Sequence, residues 1–206
     1  MTTTAKKTTT KPKVVKAKTT PIPQLPTVPF AYEVLEAASK QRTKARKIEV
    51  LQKYAHDSIM TILIWNFDET AISVLPPGDV PYGNTREDNN VTGTLSDKIN
   101  DAVDKMSEMG SASLGSQDQG QASIRKEYTK FYNFIKGGND KLSGLRRETM
   151  FINILEGLHP LEAEILVLVK DKKLTDKYKI TKEIVSAAYP QICLLYTSDA
   201  ADDDHC

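Results

Sequence analysis

Apolar residues recur along this chain at helical rather than strand spacing, in two blocks. In the second block Phe151, Ile154, Leu155 and Leu158 fall at i, i+3, i+4 and i+7 and predict a helix over Glu148–Leu158. Gly157 and His159-Pro160 close it, because the residue before a proline is pushed out of the α region. Pro160 suits the first turn of a following helix, where its missing N–H costs nothing. Glu162 and Glu164 lie near that helix's positive end, and Lys170, Lys172 and Lys173 near its negative end. Its run Ile165–Val169 is apolar all round, the pattern of a helix buried on most sides. Thr181 is placed to cap a third helix, with Ile180 and Val185 as a hydrophobic staple.

The first block begins with Ala31, Val34, Leu35 and Ala38 on one face of a helix over Phe30–Ala38. Thr43 is placed to cap a second helix that turns Ile48, Leu51 and Ala55 inward. Asp57 is placed to cap the next segment, Ser58–Asn66. Its run Ile59, Met60, Ile62, Leu63, Ile64, Trp65 is compatible with helix or strand. That run is too short, and too closely bounded by Asp57, Asp68 and Glu69, to span a membrane. The proline-rich stretch Ser73–Asn84 is expected to wrap extended across the domain. Ile124, Tyr128, Phe131 and Ile135 repeat at helical spacing, and Gly137-Gly138 reads as a left-handed helix end.

Composition divides what lies outside these blocks. Met1–Pro29 holds six lysines and no acid among threonines and prolines, a mixture expected to stay disordered as a basic arm. It lacks the apolar run of a signal peptide. Thr85–Ser123 carries seven acidic and three basic residues among Gly, Ser, Asn and Gln, and is expected to be a mobile surface insertion with a weak helix at Ser96–Met109. Cys193–Asp202 resembles the in-frame translation of a sequencing adapter, so residues 193–206 are read as an artefact and the natural protein as cut off near Ile192. Both cysteines lie in that tail, which leaves no disulfide framework and no cysteine zinc site. Four of the 27 acidic residues lie there too, so residues 1–192 carry 28 basic against 23 acidic residues, a surplus of five. The expected architecture is mainly α: one small helical bundle of about six helices, built from residues 30–84 and 124–192.

Candidate chemistry is sparse. Gly137–Gly144 lacks the spacing of a phosphate-binding loop and is better explained as a helix end and turn. His159 at a helix junction has no accompanying nucleophile and is expected to be a hydrogen-bonded structural histidine. His56 beside Asp57 makes a poor metal pair without further ligands. Glu156, Glu162 and Glu164 could bind Mg²⁺ or do acid–base work, but charged flanks of an amphipathic helix explain them. Tyr128, Phe131, Tyr132 and Phe134 interleave with Lys126, Lys130 and Lys136, a mixture that could stack on single-stranded nucleic acid, although half of these rings lie on the core stripe. No cofactor or metal is expected, and no catalytic residue is assigned. Two basic clusters remain as contact candidates: Arg42, Lys44, Arg46 and Lys47 before the second helix, and Lys170, Lys172, Lys173, Lys177, Lys179 and Lys182 between the last two. The second cluster can be drawn as a helix-turn-helix, but its connection is longer than that motif uses.

A set of motifs adds a resemblance. Tyr32-Glu-Val-Leu, Leu75-Pro-Pro-Gly-x-x-Pro-Tyr82, Phe134-Ile-Lys-Gly-Gly138, Arg146-Arg-Glu-x-x-Phe151, Leu155-Glu-x-Leu-His-Pro160, Lys170-Asp-Lys-Lys-Leu174 and Ile180-Thr-Lys-Glu-Ile-Val-x-x-Ala-Tyr-Pro190 together resemble a family of small proteins of tailed phages of marine bacteria, including T4-like cyanophages. The resemblance covers Phe30–Asn84 and Ile124–Pro190, with the leader and the insertion standing as additions. That family is of unknown function, so the resemblance carries no catalytic residues. It implies a phage origin and expression in an infected bacterium's cytoplasm.

The expected function is therefore a non-enzymatic phage accessory protein that binds a phage or host protein through one of the basic clusters. A nucleic-acid-binding factor of replication or transcription, using the basic arm and Lys170–Lys182, is the alternative, and a minor virion component is a third. No membrane association is expected.

Overall fold

The computed structural model describes residues 22–78, 80–82, 93–94, 104 and 122–192. It is mainly α. Helix α1 spans Ala31–Ser39, α2 Lys44–Lys53 and α3 Asp57–Phe67. After the central region come a single turn, α4 (Ile124–Glu127), and a 3₁₀ segment, Tyr128–Phe134. Four helices follow: α5 (Gly144–Gly157), α6 (Pro160–Lys170), α7 (Leu174–Tyr178) and α8 (Lys182–Ala188). Two-residue strands β1 (Pro81–Tyr82) and β2 (Gly93–Thr94) pair antiparallel. Among the described residues no helix is long and apolar enough to cross a membrane.

Both blocks feed one core. Val34, Leu35 and Leu51 from the first pack in the same cluster as Ile165, Leu166 and Val185 from the second. Its densest part is aromatic. The Trp65 ring lies 5.8 Å from Phe131 and 6.1 Å from Phe134, and Phe134 meets Phe151 edge-on at 5.1 Å. The ambiguous run Ser58–Asn66 is helical, with Ile59, Ile62, Leu63 and Trp65 buried together.

Several boundaries differ from expectation, each for a physical reason. Residues 22–29, placed in a disordered arm, are held: the Tyr54 hydroxyl accepts from the Leu25 N–H at 3.0 Å and donates to the Pro23 carbonyl at 2.9 Å. Ile22 and Leu25 pack on the core there. Helix α5 starts four residues early because Arg147 in its first turn donates to the carbonyls of Asn133 (2.8 Å) and Asn139 (2.9 Å). The expected helix through Ile135 is instead one α turn followed by a 3₁₀ segment. It stops at Phe134 because the chain turns extended to pair with the proline-rich stretch, Ile135 bridging Ser73 and Val74 donating to the Phe134 carbonyl at 2.9 Å. Gly137 is left-handed as expected, but in a turn after this bridge rather than at a helix end. The lysine-rich connection is not one long loop between two helices but contains α7, joined to its neighbours through residues 171–173 and 179–181. Within Thr85–Ser123, Gly93–Thr94 forms β2, Asp104 is helical, and Ala122 donates to the Gly157 carbonyl at 3.0 Å. The rest of that insertion, with most of the Ser96–Met109 helix, lies outside the described residues, as do residues 1–21 and 193–206.

Candidate functional site: a basic face and the groups that hold it

Helices α2 and α8 lie side by side with like ends together. At one end the Tyr189 hydroxyl donates to the Leu51 carbonyl at 2.7 Å and Gln52 donates to the Ala188 carbonyl at 3.2 Å. At the other, Lys47 Nζ donates to the Lys179 carbonyl at 2.6 Å. This last contact joins the two basic clusters, which stand 132 residues apart in sequence. Arg42, Lys44 and Arg46 stand beside Lys47 in sequence at the start of α2, and Lys182 follows Lys179 at the start of α8. Thr43 caps α2 as expected, accepting from Arg46 N at 3.3 Å. The positive end of α2 is therefore the end at which these cations lie.

Carboxylates punctuate the cations. Arg46 donates to Glu49 at 2.7 Å. Glu183 accepts from the Thr181 hydroxyl, which holds its carboxyl below the usual range, with Lys44 adding to the effect. That contact also corrects Thr181: it stands at the N-cap of α8, but its hydroxyl donates to Glu183 instead of accepting from the helix.

Three other lysines of the second cluster are engaged within the fold. Lys170 is a correction. Its side chain is 2% exposed, and its ammonium donates to the carbonyls of Pro76 and Gly78 and to Asp171, so it holds the proline-rich stretch rather than a partner. Lys172 donates to the Asp68 carbonyl at 2.5 Å; burial, opposed by Asp68 and Glu69, holds its pKa below the ordinary value. Lys177 pairs with Glu164. Lys173 is exposed at the start of α7.

The titratable candidates outside this face have structural roles. Glu162 is not a charged flank but is 1% exposed. Its Oε1 accepts from the Ala31 N–H at 3.0 Å and its Oε2 from the Ile124 N–H at 2.9 Å, so one carboxylate caps α1 and α4 from inside α6. Burial pushes its pKa up, against the pull of those two N–H groups. Glu156 is exposed on α5, away from any such contact. Asn66 likewise reaches across to cap α7, accepting from the Leu174 N–H at 3.2 Å. Phe131 and Phe134 are fully buried, so half of the aromatic–lysine mixture serves the core. A groove of about 720 Å³ beside α5 is lined by Leu145 and Met150 together with Arg146 and the Glu127–Lys130 ion pair.

Both described histidines are helix caps. His56, not Asp57, caps α3: its Nδ1 accepts from Ser58 N at 3.1 Å. His159 Nδ1 accepts from Leu161 N at 3.2 Å, while its ring stacks 5.1 Å from Tyr32. An accepting Nδ1 requires the neutral imidazole in its Nε2–H tautomer, and burial depresses both pKa values from 6.5. A folded pKa below the unfolded one means that the unfolded chain takes up protons first. Stability from these caps is thus complete above pH 6.5 and declines as pH falls through the folded pKa values. We expect a loss of about 1 kcal/mol per cap, the usual worth of an N-cap, measured by urea unfolding between pH 7.5 and 5. Asparagine at both positions, an acceptor that does not titrate, should flatten that part of the profile. A wild-type profile that stays level over this range would show that the caps contribute nothing.

No curated protein and no solved structure matches the chain. The model of a family of unknown function (DUF6433) matches residues 34–106 and 111–176. The match runs through most of Thr85–Ser123, so that stretch is part of the family pattern and not an addition to it. It takes in the α2 half of the basic face and stops before Lys177, Lys179 and Lys182. With well over half of its residues matched, the chain belongs to the DUF6433 family.

Proposed function

We propose that this chain is a non-enzymatic phage accessory protein, acting in the cytoplasm of the infected bacterium, that docks an acidic protein partner on the face built by α2 and the start of α8. The observation that carries this reading is the Lys47–Lys179 contact, which makes one surface from two clusters. A steeply positive surface speeds encounter with an acidic partner and fixes its orientation. The interleaved Glu49 and Glu183 favour a protein with a matching mosaic of charge over the uniform phosphate backbone of nucleic acid. Glu162, His56 and His159, the groups best suited to acid–base chemistry, are instead engaged as caps, which supports a binding role over an enzymatic one. The phage setting rests on the motif resemblance.

The test is Lys44→Glu. Lys44 is exposed at the first position of α2, whose first turn holds no acid, so glutamate there is favoured by the helix dipole and the fold should survive. Tagged wild type and variant are used to capture partners from infected cells, half of each sample with nuclease. The expected result is one protein retained by the wild type with or without nuclease and lost by Lys44→Glu. Partners that vanish with nuclease would replace this reading by the nucleic-acid one. Recovery of the chain in purified particles would instead make it a virion component.

A further inference from the structure

Two residues of the lysine-rich segment hold a backbone conformation that side-chain-bearing residues adopt only at a cost. Lys172 has φ 57°, and Lys179 has φ 48° and ψ 36°. Both follow helix ends, where the left-handed position is ordinarily filled by glycine. Their side chains are not equivalent. That of Lys172 closes onto the Asp68 carbonyl and so has a use within the fold. That of Lys179 is exposed and makes no hydrogen bond or ion pair among the described residues; only its backbone is engaged, the N–H on Thr175 and the carbonyl under Lys47. Folding alone would be better served by glycine at 179. Lys47, meanwhile, spends one of its three N–H donors on that carbonyl and keeps two.

We propose that Lys179 is a specificity-determining residue of the docking face, its ammonium presented, at the expense of backbone strain, to a carboxylate on an acidic segment of the partner protein. Lys47, fixed on the same backbone carbonyl, supplies further donors to that carboxylate. The inference rests on the reading of the face given above and adds the residue and the ligand chemistry.

The experiment uses the full chain and two probes of similar length and charge, a fluorescent poly-L-glutamate peptide and a mixed-sequence single-stranded DNA oligonucleotide, at low salt. Lys179→Gly is expected to raise the unfolding temperature by about 2–4 °C, and to weaken poly-glutamate binding about two- to fivefold, the worth of one exposed ion pair. Lys179→Ala should weaken binding equally without the rise in temperature. Three outcomes would overturn the inference. If Lys179→Gly leaves poly-glutamate binding unchanged while Lys44→Glu weakens it, Lys179 has no part in a face that still stands. If neither variant weakens it, the face reading falls as well. If the oligonucleotide binds tighter than the peptide and its binding is what both Lys179 variants weaken, the ligand is phosphate and not carboxylate.

Discussion

Glu162→Ala is expected to lower the unfolding free energy by about 3–4 kcal/mol, a large part of what a domain of this size has. The carboxylate is 1% exposed and accepts from the first N–H of α1 at 3.0 Å and of α4 at 2.9 Å. A hydrogen bond to a charged group contributes about 1.5–3 kcal/mol, and alanine would leave two buried donors without an acceptor. Glu162→Gln keeps one acceptor and removes a buried charge, so its loss should be smaller, about 1–2 kcal/mol by the same scale. Urea unfolding of the three proteins at pH 7 checks the order, and an alanine variant within about 0.5 kcal/mol of wild type, the range of ordinary surface changes, would show that both helix ends find other partners. The pH dependence carries a second signature. Burial raises the folded pKa of Glu162 above 4.5, so between 4.5 and that value the folded state holds a proton that the unfolded state has released. Its contribution is complete below pH 4.5 and is lost as pH rises through the folded pKa, opposite in sign to that of the histidines. Glu162→Gln should remove this fall and leave the histidine limb in place.

The helices were legible in the sequence wherever the apolar period was long and local chemistry agreed with it. Phe151–Leu158, Pro160 and Thr43 all stand where spacing and capping rules put them. What escaped was capping across the fold. Glu162 serves α1 and α4, and Asn66 serves α7, over separations of 131, 38 and 108 residues, and no local pattern encodes such partners. His56 and His159 cap in place of the expected residue types because a neutral Nδ1 at the turn accepts as an oxygen would. One signal was present and misread. Tyr128, Phe131 and Phe134 are spaced by three, the period of a 3₁₀ segment, in which such side chains eclipse; reading Ile124, Tyr128, Phe131 and Ile135 at a period of 3.6 hid it. The basic clusters were visible as composition, but their union depends on α2 lying along α8, a tertiary fact. Tertiary contacts likewise separate Lys179, at the surface, from Lys170, buried against the proline-rich stretch.

Lys170→Ala is accordingly expected to cost about 2–4 kcal/mol of stability, toward the range for breaking a buried ion pair, and to leave the docking face intact. All three of its ammonium donors are used, on Pro76 O at 2.8 Å, Gly78 O at 2.9 Å and Asp171 Oδ1 at 2.6 Å, and its side chain is 2% exposed. Truncation leaves the Asp171 carboxylate, itself 13% exposed, without its counter-ion and holding the proline-rich stretch only through the Gly78 N–H at 3.3 Å. Lys170→Met keeps the packing of the aliphatic stem, so the difference between the two variants measures packing against charge. Adding Asp171→Asn to Lys170→Met removes the stranded charge, and should recover part of the loss if that charge is its main source. Partner capture by the folded variants, at a temperature below both unfolding transitions, separates the two roles open to this lysine. Undiminished capture places Lys170 in the scaffold. A stability within about 0.5 kcal/mol of wild type together with lost capture would return it to the contact surface. In that case the ammonium would have to leave its three acceptors for a partner, and the proline-rich stretch would move with it.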